Sequence, residues 1–474
     1  MNPLIIPKCK IMKKLFFILI SSIGFLPMAN AQSVAPFKAG DRVVFVGNSI
    51  TDGGHYHSYI WLYYMTHFPN MRITCFNAGV GGDVIGQIAD RFDADVLSRN
   101  PTVLTLTWGM NDSGYFEWTG AEGQQTFDKK MISTYQTYAL LENRLKQKPA
   151  IRTILIGGSP YDETTKFTKN NIYPHKSAAL ASIVSHQEQS AKNNHWGFVD
   201  FFHPMTEINK REQLKDSTFS LTPNDRVHPD NDGHLVMASI FLKAQGLDHQ
   251  VVADMKLNAS GNKIEKAVNC AITHVAGSAN SLSFDYLGRS LPYPLDTVAR
   301  GWGNRKPQSA ALKVIPFTKE FNQELLAVKN LKSGNYRLMI DGEEIGRWSA
   351  KQFSEGINLA ELTETPQYQQ AIQIRELNEE RWDIERRLRM YIWMQYDFLK
   401  GKGLLYKDNT AAMDSVKKYA LKDMFVNGNK DNYSRARYKS LRDAWQKEMD
   451  VLTEQIYAIN KPVTHHIEIS AISK

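Results

Sequence analysis

The sequence predicts an α/β protein: a three-layer α/β/α domain on a parallel five-stranded sheet, then a small β-sandwich, then an inserted helical hairpin. Three observations predict it. Between residues 41 and 250, five short apolar β-branched runs alternate with segments of helical periodicity, the pattern of βαβ units covered on both faces. Residues 269–350 carry short strand-like runs separated by turn signals. From Pro366 onward, apolar residues recur at helical spacing over two long runs.

At the N-terminus, Lys13 and Lys14 precede a short apolar run, Leu15–Leu26, and a small-x-small site, Ala29-Asn30-Ala31. These parts in this order are those of a secretory signal peptide over residues 1–31, with Met12 as an alternative start. The chain is therefore expected to be exported, periplasmic or secreted, without stable membrane insertion after cleavage. Cys9 is lost with such a leader, which leaves Cys75 and Cys270; two cysteines do not make a disulfide framework.

The first domain is expected over 32–250. Its strands are read at Arg42–Val46, Arg72–Phe76, Thr102–Trp108, Arg152–Ile156 and Gly197–Phe201. Between and after them, helices are read at Tyr56–Phe68, Val84–Leu97, Phe127–Gln147, Lys176–Lys192 and Asp232–Ala244. The second domain, 251–362, has strand-like runs at Ser281–Tyr286, Leu312–Pro316, Leu325–Val328, Tyr336–Ile340 and Glu344–Trp348, with a tight-turn signal at Asp341-Gly342. In the third, 363–462, Pro366 suits a first helical position after Thr365. One helix carries Ile374, Leu377, Ile384, Leu388 and Tyr391, and another Leu441, Trp445, Met449, Leu452, Ile456 and Ile459. A smaller helix is expected near Ala411–Phe425, with Val426–Asn432 as a turn. Residues 463–474 return to strand pattern and are expected to rejoin the β domain.

Composition narrows the function classes. The 474 residues are 42% hydrophobic and 22% charged, which excludes a disordered chain and a polytopic membrane protein. The net charge is +8, of which four units come from Lys8, Lys10, Lys13 and Lys14 inside the leader. With no clustered basic run, nucleic acid is not an expected partner. Arg375, Arg381, Arg386, Arg387 and Arg389 are mixed with Glu376, Glu379, Glu380 and Glu385. That mixture reads first as a solvated, salt-bridged helix face and second as an anion-binding surface.

Four blocks carry chemistry. Gly47-Asn48-Ser49-Ile50-Thr51, Asn77–Asp83 and Gly109-Met110-Asn111-Asp112 each follow a strand, and Asp225-Arg226-Val227-His228-Pro229 precedes the last helix of the first domain. Ligands of open parallel sheets bind at the carboxyl ends of strands, so distant blocks converge. A serine hydroxyl needs a base, and His228, with an ordinary pKa near ~6.5, supplies one. Asp225 can reach the other ring nitrogen. The backbone N–H groups of Ser49 and Gly82 and the side-chain amide of Asn111 are candidate oxyanion donors. Taken singly, Ser49 reads as a helix cap, Asn111 as a turn residue and His228 as a loop histidine; together they fit acyl transfer. Thr51 stands where the Gly-x-Ser-x-Gly nucleophile elbow needs glycine.

In this order the blocks resemble the SGNH/GDSL hydrolase superfamily, over about residues 40–248. The resemblance implies a flavodoxin-like fold with Ser49, Gly82, Asn111 and His228 as the named residues and Asp225 completing the triad. Asn48 departs from the usual Asp. The implied activity is that of an exported serine esterase working through an acyl-enzyme without cofactor or metal. Its expected substrate is an acetylated polysaccharide or oligosaccharide; the alternatives are a lipase-like or aryl esterase and an inert carbohydrate-binding protein. His57 and Trp108 are candidate substrate contacts. His55 and His57 with Asp83, or with Asp230 and Asp232, lack recognised metal-ligand spacing. The oligomeric state is left open.

Overall fold

The computed structural model describes residues 34–117, 122–167, 173–301 and 303–472. The signal-peptide reading lies outside them.

Five parallel strands, β1 (Arg42–Gly47), β2 (Thr74–Gly79), β3 (Val103–Trp108), β4 (Arg152–Gly157) and β5 (Gly197–Asp200), form one sheet in the order β2-β1-β3-β4-β5. The reversal between β1 and β3 is the switch point at which ligands bind in doubly wound sheets. β3 is buried along its whole length, as a strand covered on both faces must be. Around the sheet lie α1 (Ser49–Asp52), α2 (Tyr56–His67), α3 (Ile85–Arg91), α4 (Gly123–Lys146), α5 (Lys176–Asn194), α6 (Phe202–Gln213) and α7 (Asn231–Ala244). The α3 region departs from the single helix expected over Val84–Leu97: it continues as a π-helical turn, Phe92–Val96, and a 3-10 turn. α2 is buried on every side, because other layers cover the face that a three-layer α/β/α domain alone would leave in water.

Those layers come from the rest of the chain. β6 (Ala253–Asn258), β7 (Lys263–Val268), β8 (Cys270–Ser278) and β9 (Ser281–Gly288) precede a short α8 (Phe317–Phe321). β10 (Glu324–Lys329), β11 (Asn335–Ile340), β12 (Glu343–Ser349), α9 (Ala350–Glu355) and β13 (Ile357–Asn358) follow. They form two sheets, β13-β10-β6-β7 and β12-β11-β14-β9-β8, where β14 is Thr464–Ala471. Leu257, Leu326, Phe284, Leu338 and Ile467 meet in one core between them. The sandwich is not wholly antiparallel, since β10 runs parallel to β6. Asp341 and Gly342, with φ of 52° and 87°, turn β11 into β12. Leu312–Pro316 is not a strand: Gln308–Lys313 is a 3-10 turn between Pro307 and Pro316 that buries Ala311.

The remaining helices are α10 (Pro366–Trp393), which passes into a π-helical segment at Met394–Leu399, then α11 (Thr410–Ala420), α12 (Met424–Ala436) and α13 (Lys439–Ile459). Val426–Asn432 is helix rather than turn. The Asp423 side chain accepts from Phe425 N–H and Val426 N–H at the N-terminus, while Val426, Tyr433 and Ala436 bury one face. Packing there overrides the Asn and Gly propensities.

Candidate active site

Ser49 opens the short helix α1 immediately after β1. Asn48 caps it: its Oδ1 accepts the Ile50 N–H at 3.1 Å. An amide oxygen thus does the capping that aspartate would do. Ser49 Oγ lies 2.8 Å from His228 Nε2, across 179 residues of chain. His228 Nδ1 lies 2.5 Å from Asp225 Oδ2, and Asp225 Oδ1 accepts the backbone N–H groups of Val227 and His228 at 2.9 and 2.8 Å. Burial pushes the Asp225 carboxyl up, but the hydrogen bond and charge of His228 outweigh it and hold the group below its ordinary value.

Two further loops meet this line. Gly82 has φ +89°, a left-handed conformation that glycine enters without strain. Gly79 sits so close to α1 that a Cβ there would lie 2.2 Å from Asp52 N. Asn111 is fixed by two bonds: Nδ2 donates to the Asp83 carbonyl at 2.9 Å, and Oδ1 accepts from the Tyr115 hydroxyl at 2.9 Å. An amide nitrogen carries two hydrogens, so one remains for a ligand. Asp112 bridges the loops by accepting from Ile85 N–H and Gly109 N–H. Beneath them the buried Lys176 ammonium donates to Met110 O, Ser113 Oγ and Gly114 O and lies 3.6 Å from the Tyr115 ring centroid. Burial lowers its pKa to about 7.

Ser49, Gly82, Asn111 and His228 line one cavity of about 750 Å³. Its opposite wall comes from the helical region: Arg386, Met390, Trp393 and Asp397 from α10 and its π-helical extension, and Met424 and Phe425 from the start of α12. The sequence left open whether the helical hairpin lids the site, binds a partner or forms a dimer, and assigned none of these residues to the site. Their signal was the 4-3-4 spacing of residues 386, 390, 393 and 397, one face of a helix that mixes charge with apolar bulk. Asp52, also on the cavity, pairs with Arg386.

Three expectations are corrected. His57 is a core residue, 1% exposed; its Nε2 donates to the Thr51 carbonyl at 3.2 Å, and burial lowers its pKa to about 4. Trp108, on the central strand β3, is 2% exposed and stacks on Tyr138 at 5.0 Å within the core. Neither lines the cavity. The arginine-rich face of α10 is largely not solvated: Arg381 and Arg389 are buried, Arg381 against Glu385 and Arg389 against Asp95. Trp118, a notable aromatic beside the Asn111 loop in sequence, lies outside the described residues. Cys75 and Cys270 are free and buried. Among the described residues no group of three or more His, Cys, Asp or Glu side chains is arranged to hold a metal ion.

A doubly wound sheet with a serine, a histidine and an aspartate in line at its carboxyl edge defines the class of serine-type hydrolases. The comparisons with known proteins narrow the class. Residues 45–236 match the GDSL-like lipase/acylhydrolase family, and residues 372–461 match the diltiazem deacetylase C-terminal helical domain. A solved structure of a gut microbial diltiazem-metabolizing enzyme is 48% identical, covering 93% of this chain and 100% of that one, with a TM-score of 0.90. An acetylxylan esterase from Geobacillus stearothermophilus is 23% identical over 225 residues, 44% of this chain and 96% of that protein. A crystal structure of that esterase covers 44% of this chain and 95% of its own at 21% identity, with a TM-score of 0.35. The chain belongs to the GDSL-like lipase/acylhydrolase family, within the SGNH/GDSL superfamily, and is a carboxylic ester hydrolase of the GDSL type.

Proposed function

We propose that this esterase removes an acetyl group from a bulky, largely apolar alcohol through an acyl-enzyme on Ser49. The observation that carries the reading is the Ser49–His228 contact of 2.8 Å opening onto a cavity walled by Met390, Trp393, Met424 and Phe425. In this mechanism Ser49 Oγ attacks the acetyl carbonyl as His228 Nε2 takes its proton. Asp225 holds the Nδ1–H tautomer and stabilises the imidazolium. The Ser49 and Gly82 N–H groups and the free Asn111 amide hydrogen receive the oxyanion. His228 returns the proton to the leaving alcohol. Water, deprotonated by His228, then attacks the acetyl-serine, and acetate leaves as Ser49 is regenerated.

The wall supports the apolar alcohol. The 48%-identical relative metabolizes diltiazem, and the helical segment that forms the wall matches the C-terminal domain of a diltiazem deacetylase. The acetylated-glycan reading draws on the acetylxylan esterase, whose length is 96% spanned by a match covering 44% of this chain. Acetate release from diltiazem, 1-naphthyl acetate and acetylated xylan separates the two. The first two substrates are expected to outpace xylan. Release from xylan alone overturns the apolar reading. The leader sequence supports export, for which N-terminal sequencing of the protein from its native host is the test.

A further inference from the structure

The cavity contains a carboxyl group that the ester chemistry does not use. Asp397 lies on its wall, in the π-helical segment that extends α10. Asp397 Oδ1 accepts from Gln87 Nε2 at 2.5 Å, and Oδ2 is buried without a hydrogen-bond partner. Three other acids in or beside the cavity have a cationic or ionisable partner, Asp52 with Arg386, Asp83 with Arg91 and Asp225 with His228, and Asp112 beside Asn111 has two backbone donors, the N–H groups of Ile85 and Gly109. Asp397 makes no ion pair among the described residues. Two rings share its wall, those of Trp393 and Phe425, with centroids 6.3 Å apart and planes inclined by 39°.

A buried carboxyl without a partner is expensive as an anion and stays protonated until something compensates it. Burial, reinforced by the charges of Asp83 and Asp52 and opposed by Arg91, raises Asp397 to about 8. Arg386 and His228 also line this space. A carboxyl that shares a cavity lining with two aromatic rings is complementary to a cation whose surface is partly apolar, since ring faces attract such a charge.

We propose that Asp397, Trp393 and Phe425 form a subsite for a substituted ammonium group carried on the alcohol part of the ester. The proposal rests on the ester-hydrolase reading above and names the substrate class of the same cavity. Binding replaces the carboxyl proton with the ligand cation, so preference for the cation follows ionisation of Asp397.

The test uses matched pairs of acetate esters, ω-(trimethylammonio)alkyl acetates with two to six methylenes and their neutral tert-butyl isosteres. A quaternary ammonium does not titrate, so its pH dependence reports on the protein. The readout is the ratio of kcat/KM, cation over isostere, which cancels losses common to both. At one tether length or more the ratio is expected to exceed one and to rise about tenfold between pH 7 and pH 9, as the ionised fraction of a group near 8 rises. In Asp397→Asn it is expected to fall at pH 9 to no more than the small preference the two rings leave, and to lose its pH dependence. A ratio near one at every length at pH 9, in wild-type enzyme that hydrolyses the neutral esters, overturns the subsite. A preference that survives Asp397→Asn unchanged overturns it as well. Hydrolysis of neither member overturns the esterase reading, and the subsite with it.

Discussion

Arg389 of α10 grips Asp95 with two hydrogen bonds of 2.7 and 2.5 Å, and both side chains are fully buried. Through Nε the same guanidinium donates to the Gly79 carbonyl at 2.9 Å. Glu385, one turn earlier, accepts the Asn77 N–H at 2.9 Å. The helical region is thus bonded to the end of β2, which leads into the Gly82 turn of the site.

Removing Arg389 takes one of three guanidiniums from the buried Asp95 carboxylate, which Arg91 and Arg99 still hold, and leaves the Gly79 carbonyl without its donor. Arg389→Ala is expected to cost about 1–3 kcal/mol in urea unfolding, and Arg389→Lys is expected to recover only part, because one ammonium cannot reproduce the fork. An unchanged midpoint in Arg389→Ala would show that the helical layer does not depend on this pair.

The Tyr115 hydroxyl fixes which way the Asn111 amide faces. Asn111→Ala is expected to lower kcat about 10²–10³-fold, the effect of a lost oxyanion donor. Tyr115→Phe is expected to show a smaller loss in kcat with little change in KM. A loss confined to KM would assign Tyr115 to substrate binding instead.

Phe425 is 59% exposed at the cavity mouth. Phe425→Ala is expected to raise KM for naphthyl acetate by roughly tenfold, the worth of an aromatic contact of about 1.4 kcal/mol. Ethyl acetate, too small to reach it, is expected to be little affected. Equal loss on both esters would place the effect elsewhere.

Much of this was legible in the sequence, and the reason is physical. Strands of a doubly covered sheet are continuous apolar runs, so β1 and β3 stand out. The Ser49, Gly82 and Asn111 blocks adjoin strand ends that the topology brings together. β7 was missed because it is exposed throughout and reads KIEKAV, without a buried alternate face. The burial of Arg381 and Arg389 was missed because burial of arginine is set by partners far along the chain. Arg389 and Asp95 are 294 residues apart, and no local pattern distinguishes a guanidinium that faces water from one that faces Asp95. His57 and Trp108 failed for the opposite reason: nearness in sequence to the site says nothing about which face of α2 or β3 a side chain occupies.

Stability carries its own pH signature. Glu324 is buried, accepts from Tyr286 and Gln367 through Oε1, and is raised by burial to about 7. Between an unfolded value near ~4.3 and about 7 the folded state binds the extra proton, so stability falls as pH rises through this window and levels off above it. Glu324→Gln, which keeps the oxygen acceptor and removes the charge, is expected to raise stability by up to about 3 kcal/mol at pH 8 and to have little effect at pH 4. Equal effects at both pH values would contradict the raised value. Thermal unfolding of both proteins from pH 4 to 9 measures it.

The central claim is that Ser49 is the nucleophile activated by His228. Intact-mass measurement after treatment with a fluorophosphonate tests it most directly. One covalent adduct per chain is expected in the wild type, mapping to Ser49, absent in Ser49→Ala and formed far more slowly in His228→Ala. An adduct of undiminished yield in Ser49→Ala would contradict the account.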